Sequence, residues 1–235
     1  MSAKQLLFAF LMGMISSFAI GDGAIEINQS CVDVSCFNGE DPGFPINIQS
    51  PGLYRLTSNL SLSSIERAFI IETSNVTFDM NGFTIKGSFF CDGSLPLCSP
   101  ESGEAGFLID DDLVNITIRN GRFDGMGFVA IAGNRIQNLK IQDVEIINSD
   151  SGFSLSGDGH GVIERVQVSR VKRRGGNVGP GFIVRDSLFV NNGQQGLLGG
   201  YCSRNVFRDN GDITGSPEQA CDELVDANYC NNLPC

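Results

Sequence analysis

A lone histidine, a run of three aspartates, one basic cluster and eight cysteines are the side chains in this 235-residue sequence whose types and spacing could do chemistry. His160 lies in Ser156-Gly157-Asp158-Gly159-His160-Gly161, so Asp158 and His160 are the candidates for acid and base work, and any His-dependent triad or zinc site must use His160. Inverting glycoside hydrolysis requires two carboxyl groups about 6.5 to 9.5 Å apart around a water, and no matched partner for Asp158 is legible. Gly159 to Gly161 therefore reads as a turn. Asp110, Asp111 and Asp112 offer hard oxygen ligands that could hold calcium. Adjacent side chains diverge, however, and the spaced Asp and Glu pattern of a calcium loop is missing, so a solvated turn before Val114 is the expectation and no cofactor is expected, calcium being the alternative. Lys172, Arg173 and Arg174, with Arg170 just before them, form the basic cluster. Bidentate arginine contacts there suit a sulfated or uronic polysaccharide.

Charge narrows the partners. Sixteen Lys and Arg against 27 Asp and Glu give a net charge of −11, which removes any general attraction for nucleic acid or anionic lipid. The absence of Trp removes the commonest platform for stacking a sugar ring. Phosphate loops, nucleotide fingerprints and a Ser, His, Asp order are not found, so a nucleophilic mechanism has no support.

Residues 1–24 read as an export signal, because Lys4 precedes an apolar run from Leu6 to Ile15 and small residues follow, with cleavage after Ala19 or Ala24. The run is below the ~20 residues of a membrane span, so no membrane insertion is expected after cleavage. A secreted, periplasmic or cell-surface location follows. All eight cysteines lie beyond the signal, and export with even parity argues for disulfides. Short separations suggest Cys31 with Cys36, Cys91 with Cys98 and Cys230 with Cys235, leaving Cys202 with Cys221. Zinc spacing is approached only at Cys31 to Cys36 and Cys230 to Cys235.

An internal repeat positions all of these groups. Five segments align, with Ile118, Ile141, Ile163, Val184 and Cys202 in one column and Phe123, Ile146, Val168, Phe189 and Phe207 in another, stepping by 23, 22, 21 and 18 residues. An earlier pass from Val76 to Ile85 has the same texture. Each pass alternates apolar and polar residues in short runs broken by Asn81-Gly82, Asn120-Gly121, Asn192-Gly193 or Asn210-Gly211, which marks strands and turns. Leucine-rich repeats share the period but lack a matching consensus here, and propeller blades are about twice as long. The fold expected is all-β: a single right-handed parallel β-helix of about 6 to 7 coils stacked ~4.8 Å apart, with disulfide-bearing caps over its open ends. Residues 25–60 would form the N-terminal cap and opening strands, 61–211 the β-helix with an insertion at 86–113, and 212–235 a cysteine-rich C-terminal cap.

On this repeat the sequence resembles the pectate-lyase-like right-handed β-helix superfamily over residues 70–211. The opening Pro42-Gly43-Phe44-Pro45-Ile46 and the run Pro51 to Leu60 resemble secreted bacterial β-helix proteins, most of which have no assigned reaction. Gly159-His160-Gly161 is similar to a polygalacturonase motif, but that family's Asn-Thr-Asp triplet is missing, and Arg135-Ile136-Gln137 precedes the histidine where the family has Arg-Ile-Lys after it. The resemblance implies a fold more than an activity.

Register also predicts two polar columns. One runs Asn120, Asp143, Arg165, Asp186, Arg204, and its neighbour runs Arg119, Gln142, Glu164, Arg185, Ser203. Opposite charges one coil apart read as a structural ladder, and the alternative is a lyase-like groove at Arg165, Arg185 and Asp186. The long loops 86–113 and 170–181 are expected to make any cleft. Asn28, Asn59, Asn75 and Asn115 fit the glycan acceptor pattern, although turn formation explains three of them equally well. The functional expectation is a secreted, non-catalytic protein that binds acidic polysaccharide or serves a surface role, with a polysaccharide lyase or glycoside hydrolase as the alternative.

Overall fold

Short alternating runs closed by Asn, Asp or Gly cannot bury a face alone, and they do so by stacking. In the computed structural model, which describes residues 23–63, 66–92, 97–99, 103–211, 219–221, 223–224, 227–230 and 233–234, they form a parallel β-solenoid of about seven turns. Each turn carries a strand on each of three faces. The first face stacks Ile46–Ile48, Arg67–Ile71, Ala105–Ile109, Val129–Asn134, Phe153–Ser156, Gly176–Val178, Leu197–Leu198 and Gln219–Ala220. The second face follows from Ile25–Ile27 and Gly52–Leu56 up to Glu223–Leu224, and the third from Leu60–Ser61 to Tyr229–Cys230. In the long strands Val114–Asp124 and Gln137–Ile147 the second and third faces are continuous, bent at Asn120 and Asp143.

The strand register bears out both apolar columns. Ile118 pairs with Ile141, Ile141 with Ile163, Ile163 with Val184 and Val184 with Cys202. Phe123, Ile146, Val168, Phe189 and Phe207 follow one another in the same way. All ten side chains are fully buried. Aromatic rings fill the width between faces, with Phe69 stacked on Phe107 at 4.8 Å and Phe189 on Phe207 at 5.2 Å.

Cys31–Cys36, Cys91–Cys98 and Cys202–Cys221 are the disulfides present. Cys230 is also disulfide-bonded, and its expected partner Cys235 lies outside the described residues, as does the export signal up to residue 22. Among the described residues no helix is long and apolar enough to cross a membrane. The one short helix, Gln29–Val32, is capped by Asn28, whose side chain accepts from the Cys31 amide.

Asn192-Gly193 and Asn210-Gly211 lie in the segments that follow third-face strands, with their asparagine side chains turned inward. Asn192 and Asn210 are buried, and the Asn192 amide donates to Val168 O at 3.2 Å and to Asn210 Oδ1 at 2.8 Å. A second buried ladder joins Ser187, Asn205 and Asn228 at the corner between the second and third faces. A chain that turns inside a stack leaves backbone groups without strand partners, and these amides satisfy them.

Candidate anion-binding turn

Each candidate group sits on one of the three edges of the coil, and the edges separate them. Asp110 to Asp112 follow a first-face strand, as do Asp158 and His160, whereas Arg170 to Arg174 precede one. The acidic and basic candidates thus occupy opposite ends of the first sheet and do not converge on one site.

At the acidic edge, Arg135 from the next coil takes the carboxylates. Its Nε lies 2.7 Å from Asp112 Oδ1 and its Nη2 3.0 Å from Asp111 Oδ2, while Asn134 donates to Asp111 at 3.0 Å. Hydrogen bonding from Arg135 holds the Asp112 carboxyl below the usual carboxylate range. The sequence reading missed this role of Arg135. The signal was its 23-residue distance from Asp112, equal to the repeat step. His160 is exposed at the start of its strand, in register with Gln137 and Gly181, and Asp158 is exposed beside it, its backbone carbonyl accepting from Gln137 Nε2 at 3.1 Å. Gly161 is explained by packing, since a Cβ there would meet Leu139 O at 2.2 Å. The Gly-His-Gly run marks close approach of neighbouring coils.

The corner between the second and third faces carries the predicted polar column, and its backbone explains the column's residue types. Asn120, Asp143, Arg165, Asp186 and Arg204 all have positive φ, between 52° and 59°. Asn and Asp tolerate this left-handed conformation, but arginine rarely adopts it. Each arginine here is fixed by a bidentate carboxylate: Arg165 Nε to Asp143 Oδ1 at 2.7 Å with Nη2 to Oδ2 at 2.9 Å, and Arg204 to Asp186 at 2.7 and 2.8 Å. In the neighbouring column Glu164 accepts from Gln142 at 2.7 Å and from Arg185 Nε at 2.8 Å. Beside the corner runs a groove of about 580 Å³ lined by Thr84, Arg122, Asp143, Glu145, Arg165 and Gln167. A second cleft of about 620 Å³ lies in the N-terminal cap. These two clefts are lined by the corner and the cap, not by described residues of 86–113 or 170–181.

Electrostatics disfavour proton chemistry at the corner. The Arg165 hydrogen bond holds Asp143 below its ordinary value, and Arg204 does the same for Asp186. Burial pushes the Glu164 carboxyl up, but hydrogen bonds from Arg185, Arg165 and Gln142 outweigh it and hold the group low. A general acid needs the opposite shift. Replacing Arg165 by Glu sets a new carboxylate among Asp143, Glu164 and Asp186. The expected result is a lower melting temperature than wild type, with the deficit larger at low salt than at high salt. A deficit independent of salt would refute the ion-pair account.

At the third edge the basic turn is built differently. Arg170 donates through Nε to Asn148 Oδ1 at 2.9 Å, Arg173 Nε lies 3.3 Å from Asp150 Oδ2, and Arg174 donates through Nε to Gln195 Oε1 at 3.0 Å. Among the described residues their terminal Nη groups donate no hydrogen bond to protein, whereas Arg119, Arg135, Arg165, Arg185 and Arg204 spend both Nε and Nη2 on carboxylates. The Arg173 side chain is 61% exposed, against 51% or less for the other ion-paired arginines. Lys172 follows in the same turn, its backbone amide bound to Ser149 O at 2.9 Å. Nε anchoring fixes each side chain to a neighbouring coil and leaves its outer fork for a planar anion. Comparison of the chain with protein-family models, with curated proteins and with solved structures gives no match.

Proposed function

We propose that this chain is a secreted, non-catalytic β-helix protein of the pectate-lyase-like type that binds acidic polysaccharide through Arg170, Lys172, Arg173 and Arg174. The observation that carries this reading is a turn in which Arg170 and Arg174 are each anchored by a single Nε hydrogen bond and Arg173 by an ion pair, which leaves their Nη groups without protein hydrogen bonds among the described residues. Holding rotamer-rich side chains in place before binding lowers the entropy lost on association. With a net charge of −11 the protein repels polyanions at long range, so these short-range contacts must supply the affinity. Disulfides together with the expected signal support export. The Arg-paired carboxylates at the corner and at Asp112 support binding over hydrolysis or lyase chemistry.

The double change Arg173→Ser with Arg174→Ser is expected to abolish retention on a pectate or alginate gel and to leave the melting temperature within about 2 °C of wild type. Because Arg173 also pairs with Asp150, the Arg173→Lys, Arg174→Lys protein serves as control: it keeps the charge, loses the forks and should be retained weakly. Equal retention of Ser variant and wild type would remove the turn from the account. Release of unsaturated uronate from either gel would overturn the non-catalytic reading.

A further inference from the structure

The cleft of about 620 Å³ lies where the N-terminal cap meets the first coil and is not used by the proposed polysaccharide contact. Phe37, Phe44, Pro42 and Pro45 line it together with the polar Asn38, Asn47, Gln49 and Ser50 and the almost fully buried Tyr54. The Phe37 ring meets Tyr54 edge-on with centroids 6.1 Å apart, and the Tyr54 hydroxyl donates to Ser50 O at 2.7 Å, which fixes that ring as part of the floor. Burial pushes the Tyr54 phenol above its ordinary value, so it stays neutral.

Charge in the cleft has one sign. Glu40 and Asp41 are its ionisable acids, and neither Lys, Arg nor His lines it. Glu40 is held in place, its Oε1 accepting from the Asn47 amide at 2.6 Å. Asp41 is exposed and forms no ion pair among the described residues. Aromatic faces carry negative potential, and a cation placed over them is attracted without needing a directional hydrogen bond. The two carboxylates add to that field, and the phenylalanine and proline part of the lining suits a cation whose charge is wrapped in carbon.

We propose that this cleft binds a small organic ammonium ion, its alkyl body against Phe37 and Phe44 and its charge facing Asp41 and Glu40. A neutral ligand would forgo the carboxylates, an inorganic cation would lose more hydration than the rings return, and an anion would be repelled. The site is separate from the basic turn, because the cap precedes the first full coil while Arg170 to Arg174 lie between the fifth and sixth.

Calorimetric or NMR titration of the intact protein with choline tests this, with neohexyl alcohol, its uncharged carbon isostere, as the comparison. The expected result is saturable choline binding at least about tenfold tighter than the alcohol, weakened about tenfold or more by Asp41→Asn and by Phe37→Leu. Asp41 is exposed, so its variant reports on binding even where Phe37→Leu disturbs the cap. The Arg173→Ser, Arg174→Ser protein should bind choline as wild type does, which keeps this result independent of the polysaccharide reading. Absence of saturable choline binding, equal affinity for the alcohol, or affinity unchanged by Asp41→Asn would each overturn the proposal.

Discussion

Truncating Phe189 to alanine is expected to lower the unfolding free energy by about 3 to 5 kcal/mol, measured by denaturant titration. Phe189 is fully buried in the column that continues to Val168 on one side and Phe207 on the other. Its ring stacks on Phe207 at 5.2 Å and 11° and meets Phe153 across the core at 6.2 Å and 66°. Two glycines make room for it: a Cβ at Gly175 would come within 2.8 Å of the Phe189 ring, and one at Gly196 within 2.9 Å of its Cβ. The hole left by truncation cannot close, because coil spacing is set by backbone hydrogen bonds rather than by side-chain volume. Phe128, 57% exposed at a turn, is the control, and Phe128→Ala should change stability by no more than about 0.5 kcal/mol. If the two variants lost equal stability, the aromatic column would not be the core.

In a solenoid each coil touches its neighbours, so an alignment of repeats is also a contact map. That is why Ile118 over Ile141, Asp143 beside Arg165 and Asp186 beside Arg204 were legible in the sequence: one repeat step separates the members of each pair. The same step holds for Arg135 and Asp112, yet the three aspartates draw attention to their own adjacency rather than to a partner 23 residues on. At the basic turn the residue types were legible, but their anchoring was not. Whether an arginine reaches its neighbour through Nε alone or through both nitrogens depends on the length and angle of the partner: amides at Asn148 and Gln195 take one bond each, carboxylates at Asp143 and Asp186 take two.

Two features escaped the sequence reading. The cap that encloses the larger cleft repeats nothing, so alignment could not say that Phe37, Glu40, Asp41 and Phe44 meet Tyr54. The buried asparagines were hidden by a local rule. Asn before Gly favours a turn wherever it stands, and nothing in that dipeptide tells whether the side chain points out to water or in to a neighbouring coil.

Asn205 gives the sharpest test of the inward reading, with an expected loss of about 2 to 4 kcal/mol on replacement by alanine. The residue is fully buried; its Oδ1 accepts from the Ser187 backbone amide at 3.1 Å, and its Nδ2 donates to Val184 O at 2.9 Å and to Asn228 Oδ1 at 3.1 Å. Alanine leaves the Ser187 N–H without that acceptor and Val184 O without that donor, inside a stack of coils that bulk water does not enter freely. Leucine separates the two contributions, since it restores volume but no hydrogen bond; Asn205→Leu should remain destabilised by most of the same amount. Aspartate keeps the acceptor for Ser187 but sets a carboxylate against Val184 O and Asn228 Oδ1. That buried carboxyl has its pKa raised, so Asn205→Asp should be least stable at neutral pH and regain stability as the pH falls and the group protonates to become a donor. A leucine variant as stable as wild type, or an aspartate variant indifferent to pH, would show that the ladder holds no backbone together and that Asn205 is a space-filling residue at a turn.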